Sequence, residues 1–208
     1  MGDLTVGGDG LARCSWGAEP PENRAYHDAE WGRPVGDDRR IFEKLCLEGF
    51  QAGLSWLTIL RKREAFRDAF AGFEPTAVAA YDASDVERLL GDQRIVRHRG
   101  KIEAAIANAR ATVAIHDDGL SLAGLLWRHE PASPPAPSQP GEIPPTIPEA
   151  RALSAELRRR GFRFVGPTTV YAAMQSLGVV NDHLVGCAWR EPAAGERAAF
   201  RVPSVELA

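Results

Sequence analysis

Residues 92–113 read DQRIVRHRGKIEAAIANARATV, and this stretch carries both the periodicity and the charge around which the rest of the chain is organised. Ile102, Ile106, Ala109 and Val113 fall at steps of four, three and four, the period of an amphipathic α-helix rather than of a strand. Ahead of them, Arg94, Arg97, His98, Arg99 and Lys101 surround Gly100 in a short turn. Between 94 and 110, four arginines and one lysine stand against Glu103, a local charge of five minus one, or +4, whereas 25 Lys and Arg against 28 Asp and Glu leave the whole chain at −3. A glycine turn that opens a helix presents free backbone N–H groups and a positive dipole end, which suits a phosphate. The same residues also suit a merely solvated helix start.

Outward from this stretch the helical reading holds. Upstream, Ile41, Phe42, Leu45 and Cys46 share one face after Asp37 and Asp38, with Gly49 near the end. Leu54, Leu57, Ile59, Leu60, Phe66 and Phe70 form a second stripe. Ser84 and Glu87 have capping-box spacing before Val86, Leu89 and Leu90. Downstream, Ser121 is a cap for Leu122, Leu125 and Leu126. Thr146 and Glu149 form another capping-box pair, before Leu153 and Leu157 with Gly161 as the stop. Pro167 suits a first turn leading to Val170, Met174, Leu177 and Gly178. Residues 131–148 hold eight of the 15 prolines and read as an extended surface connection. No alternation at period two persists, so the expected fold is all-α.

At 208 residues the chain suffices for about one domain, and its 44% hydrophobic and 25% charged content exclude a disordered or fibrous chain. The first residues lack a basic start followed by an apolar run, and no apolar stretch is long enough for a membrane span. A cytoplasmic protein without membrane contact is expected. Three cysteines, an odd number spread along the chain, argue against a disulfide framework.

Two constellations bear on chemistry. Cys14 and His27 lie near one end, and His183 and Cys187, four apart, near the other. This is a Cys2His2 donor set for a closed tetrahedral zinc site, or three ligands of an open hydrolytic site, or else two small core thiols and two ordinary histidines. Glu48, in LCLEGFQAGLSWLTIL, is the only formal charge between Lys44 and Arg61. A carboxylate in apolar company calls for a partner or a ligand. With Trp16, Tyr26, Trp31 and Trp56 it would receive a flat cationic heterocycle, although the tryptophans read equally well as core. A second basic run, Arg158, Arg159, Arg160 and Arg163, serves a helix C-terminus as well as a nucleic acid.

The motifs RCSW, AYHDAEWG, LCLEGFQAGLSWLTILRKRE, RHRGKI, GFRFVGPT and NDHLVGC occur in this order between Arg13 and about Trp189. In them the chain resembles the 3-methyladenine DNA glycosylase I family. The resemblance implies a helix–hairpin–helix DNA glycosylase fold with a structural Zn2+ joining the N- and C-terminal segments through Cys14, His27, His183 and Cys187. It implies that Glu48 is the catalytic residue and hydrogen-bonds the methylated base, that Tyr26 and Trp16 line its pocket, and that Trp56 stacks on it. Arg97, His98, Arg99, Gly100 and Lys101 would hold DNA phosphates. Many members carry a second tyrosine where this chain has Asn23.

By activity, the resemblance implies a monofunctional glycosylase that flips a cationic alkylated purine out of double-stranded DNA. It would hydrolyse the N-glycosidic bond, release free 3-methyladenine and so initiate base excision repair. The residues that the resemblance assigns to the pocket include no lysine, so no strand cleavage is expected. The alternative is a module that binds damaged DNA without catalysis. The expected organisation is a flexible segment at 1–12, one glycosylase domain of two helical lobes at 13–190 and a tail at 191–208, acting as a monomer.

Overall fold

The computed structural model describes residues 3–133 and 135–207. Ten α-helices are present among them: α1 (Pro21–Ala29), α2 (Asp38–Gln51), α3 (Trp56–Ala69), α4 (Pro75–Ala79), α5 (Ala83–Gly91), α6 (Arg99–Asp117), α7 (Leu122–Trp127), α8 (Pro148–Arg159), α9 (Pro167–Ser176) and α10 (Arg190–Ala199). None is long and apolar enough to cross a membrane. The mostly helical expectation holds, with one addition. The segment expected to be a flexible lead contains β1 (Leu4–Val6), which pairs antiparallel with β2 (Ala12–Cys14), Leu4 opposite Cys14. Three residues per strand are too few for a period-two pattern to register.

Helix α2 is the centre. Asp37 caps it by accepting from the Arg40 N–H at 2.8 Å. Beyond the expected stripe of Ile41, Phe42, Leu45 and Cys46, its last turn buries Leu47, Glu48, Gly49 and Phe50 as well, because α3, α6, α7 and α9 pack around it. Apolar burial at roughly 25 cal/mol per Å2 makes this shared core the main stabilising term. Asp38 joins three helices: its carboxylate accepts from His116 at the end of α6, and from the Ser121 hydroxyl and the Leu122 and Ala123 N–H groups at the start of α7.

The buried face of α6 runs through Ile102, Ile106, Ala109, Thr112 and Ile115, so Val113, expected in the stripe, is only half-buried. Two expected caps are displaced. The box that opens α5 is Asp82 with Asp85, two residues upstream of Ser84 and Glu87, since Asp82 accepts from the Ser84 and Asp85 N–H groups. Helix α8 starts with Pro148 in its first turn and without a side-chain cap. Proline needs no N–H acceptor there, and the Thr146 hydroxyl donates to the carbonyls of Ile147 and Pro167 instead.

Helix α9 ends at Gly178, where φ is +74° and an added Cβ would come within 2.5 Å of the Arg33–Pro34 peptide, so no side chain fits. Within the expected tail lies α10, whose Ala193 is buried, and Leu120 bridges Glu206. The described residues of the Pro-rich segment are irregular apart from a turn at Pro140–Glu142 and Pro148, which opens α8.

Candidate active site and metal centre

Six elements meet at a cleft of about 370 Å3, within the roughly 300–1,000 Å3 range usual for small-molecule sites. Glu48 comes from the last turn of α2, Tyr26 from α1 and Trp56 from the first turn of α3, where Ser55 caps the helix by accepting from the Thr58 N–H. Trp16 comes from the turn after β2, and Trp31 follows α1. Gln51, Ala172 and Gln175, with Pro140 and Ile143 from the Pro-rich segment, complete the walls. Glu48, Tyr26, Trp16 and Trp56, although spread over three helices and a turn, thus line one cleft. Tyr26 and Trp56 lie 5.1 Å apart, and Trp16 packs edge-on to Trp31 at 5.0 Å while remaining 38% exposed at the mouth.

The electrostatics centre on one carboxylate and one amine. Glu48 is only 6% exposed and has no hydrogen-bond or ion-pair partner among the described residues. Burial pushes its pKa up to about 7, against the pull of the Lys44 ammonium. Sequence reasoning misses Lys44, although it stands one helical turn before Glu48, a spacing that places both on one side of α2. Its Nζ donates to the Tyr26 hydroxyl at 3.0 Å and lies against the Tyr26 and Trp56 rings. Burial lowers the Lys44 pKa to about 8, partly offset by Glu48 and Glu30. The Tyr26 phenol, buried and near Glu48, is held well above its ordinary range, so its own O–H remains a donor.

Asn23, standing where many members of the resembling family have tyrosine, points its amide at the carbonyls of Trp16 and Glu19. It takes no part in lining the cleft.

Cys14, His27, His183 and Cys187 come together from the two ends of the chain, all buried, with their donor atoms within 4.8 Å of one another. Cys187 Sγ lies 3.6 Å from His27 Nε2 and 3.5 Å from His183 Nδ1, and Cys14 Sγ lies 4.0 Å from His183 Nδ1. A tetrahedral zinc with ordinary bond lengths holds sulfur and nitrogen ligands roughly 3.6 Å apart. The remaining ring nitrogens donate outward, His27 Nδ1 to Asp28 at 2.8 Å and His183 Nε2 to the Trp31 carbonyl at 3.1 Å. That leaves the inward nitrogens as lone-pair donors. The donor set fits a closed four-ligand ion. Trp16 and Trp31 pack against these histidines, so the centre and the cleft share a wall.

The basic turn lies between α5 and α6. His98 Nδ1 caps α6 by accepting from the Lys101 N–H, and Arg97 is exposed with no ion-pair partner among the described residues. Arg99 pairs with Glu87 at 2.6 Å. Lys101 departs from the expected phosphate contact. It is 7% exposed, and its Nζ donates to the carbonyls of Phe50 and Ala52 at 2.9 and 2.6 Å. Its charge is spent on the last carbonyls of α2, where the helix dipole attracts a cation.

Comparison with known proteins adds a family. Residues 16–191 match the family model described as methyladenine glycosylase. The chain is 48% identical over 180 residues to DNA-3-methyladenine glycosylase 1 of Escherichia coli (strain K12), covering 85% of this chain and 96% of that protein. It is 43% identical over 178 residues to DNA-3-methyladenine glycosylase of Haemophilus influenzae, covering 84% and 96%. Among solved structures, a crystal structure of 3-methyladenine DNA glycosylase I superposes with a TM-score of 0.82 at 48% identity, covering 85% of this chain and 98% of that one. A second, described as the structural basis of 3-methyladenine recognition by the Staphylococcus aureus enzyme, gives a TM-score of 0.81 at 36% identity, covering 86% and 96%.

Proposed function

The chain belongs to the methyladenine glycosylase family, and we infer that it is a DNA-3-methyladenine glycosylase that removes 3-methyladenine from DNA and so initiates base excision repair. The observation that carries this reading is Glu48, a buried carboxylate without a partner among the described residues, in a cleft walled by Tyr26, Trp16 and Trp56.

Methylation at N3 makes adenine a cation, so its glycosidic bond is already weak and no strong acid is needed. Extruding the nucleotide costs a few kcal/mol, which the pocket has to supply. The faces of Trp56 and Tyr26 attract a flat cation, and the Glu48 carboxylate accepts its N–H groups and opposes its charge. Water bonds to C1′, and the electron pair of the C1′–N bond remains on the base and neutralises it. One proton is released. A neutral purine lacks the charge that Glu48 and the rings recognise. Lys44 Nζ is bonded to Tyr26 and does not line the cleft, in keeping with simple hydrolysis that leaves an abasic site.

The DNA-facing part of this reading is a helix–hairpin–helix formed by α5, residues 92–98 and α6. The Arg99 and Gly100 N–H groups have no acceptor among the described residues. With Arg97 and His98 beside them they suit one phosphate. Cys14, His27, His183 and Cys187 would hold a structural Zn2+, which when bound ties the two ends of the chain together. Four buried protein donors leave no open position for a reacting water.

Chromatography of the bases released from methylated double-stranded DNA tests the reading. The wild type releases 3-methyladenine, and Glu48→Gln does so at least about tenfold more slowly. Release at an unchanged rate removes Glu48 from the mechanism. Tight binding of methylated DNA with no release favours a non-catalytic damage-binding module.

A further inference from the structure

Gln175 lines the cleft from α9, and its conformation is fixed from behind. Its Nε2 donates to Asp182 Oδ2 at 2.7 Å, and the Tyr171 hydroxyl donates to the same oxygen at 2.5 Å. Asp182 and Tyr171 are 1% and 2% exposed, so this pair is a rigid backing rather than a surface contact. A carboxylate oxygen accepts, which obliges Gln175 to turn its nitrogen towards Asp182. The carboxamide oxygen is then left without a donor among the described residues. Glu48, which lines the same cleft from α2, is a second acceptor without a partner among them, and α2 packs against α9.

We propose that Gln175, oriented by Asp182, is a specificity residue: with Glu48 it gives the cleft two acceptors, which select a purine carrying an exocyclic 6-amino group over one carrying a 6-oxo group. An amino group gives each acceptor a hydrogen. A 6-oxo group turns an oxygen towards oxygens and leaves an acceptor unpaired, which is costly where the bound base has displaced the water that acceptor faced. Asp182 is a positioning residue, acting only by holding the amide in one sense. The inference rests on the proposed function and adds to it a discrimination that charge alone does not supply, because 3-methylated adenine and guanine nucleotides are both cations.

The test uses free 3-methyladenine and 3-methylhypoxanthine, which differ at C6, with binding read from quenching of the cleft tryptophans. The wild type should prefer the amino base by about tenfold or more, the worth of one good hydrogen bond plus an avoided repulsion. Gln175→Met should lose a clear part of that preference, by weakening 3-methyladenine binding and relieving the repulsion of 3-methylhypoxanthine, with the remainder kept by Glu48. From methylated DNA the variant should release 3-methyladenine and 3-methylguanine in a ratio shifted towards guanine. Equal wild-type affinities overturn the proposal even if the variant does not fold, as does a folded variant whose preference is unchanged. A wild type that releases no 3-methyladenine removes the proposed function itself, and this inference with it.

Discussion

The Lys44 ammonium stands 4.4 Å from the centroid of the Trp56 ring, so one face of a ring proposed to stack on a cationic base already carries a protein cation. The arrangement is tolerable because Lys44 also faces Glu48, and the two modify each other. Burial alone would drive Glu48 further towards its neutral acid, and the amine restrains it at about 7. Base release from methylated DNA should therefore rise with pH through about 7, as the carboxylate forms. Lys44→Met removes the restraining charge and should move the rising limb to higher pH. Single-turnover rates across neutral pH check both, and an unmoved limb in the variant would separate Lys44 from Glu48.

The same shift has a consequence for stability. Glu48 binds its proton more tightly folded than unfolded, so between its ordinary 4.5 and about 7 the native state holds more protons. Stability from this group is fully present below 4.5 and is lost as pH rises through about 7. Glu48→Gln should remove that part of the decline, seen as a flatter dependence of Tm on pH over this window.

Metal removal should act on the fold. With zinc at about 1,000 times its Kd the centre contributes about 4 kcal/mol, so a chelator should lower Tm by about 10 °C. Gly17→Ala should have a similar effect without replacing a ligand, because its Cβ would fall 2.4 Å from the His27 ring and displace it. Metal content by elemental analysis, beside Tm, decides: a full complement of zinc in Gly17→Ala would contradict the close approach.

Arg97 and Lys101, one helical turn apart in sequence, should behave differently. Arg97→Ala should weaken DNA binding and reduce the slope of log affinity against log salt by about one. Lys101→Met should leave that slope unchanged and lower Tm by several degrees, since it strands the Phe50 and Ala52 carbonyls. A reduced slope in Lys101→Met would return that residue to the phosphate site.

The residues differ in how legible they are. The stripe of α2, most of that of α6 and the cap Ser121 follow from local spacing, because each needs only a few neighbours to be decided. Glu48 stands out because a charge in an apolar run is costly wherever the run folds. Cys14 with His27 and His183 with Cys187 are visible as donor pairs, yet spacing leaves their union open, since Cys14 and His183 stand 169 positions apart. Gln175 and the Lys101 contacts are not legible at all. What each side chain does depends on which element the fold brings opposite it, Asp182 in one case and the end of α2 in the other. The misplaced caps at Ser84 and Thr146 show the local rule failing where a better cap, Asp82 or a first-turn proline, stands within two residues.

A metal held by Cys14, His27, His183 and Cys187 would also set an order of events in the life of the chain. Its four ligands span positions 14 to 187, and its histidines support Trp16 and Trp31. During synthesis the front of the cleft would stay unbraced until Cys187 has emerged, 187 minus 14, or 173, positions after Cys14. A chain interrupted before that point keeps Glu48 and Tyr26 and lacks the clasp that holds their surroundings. Damage recognition would thereby wait on the last of the four ligands to be made.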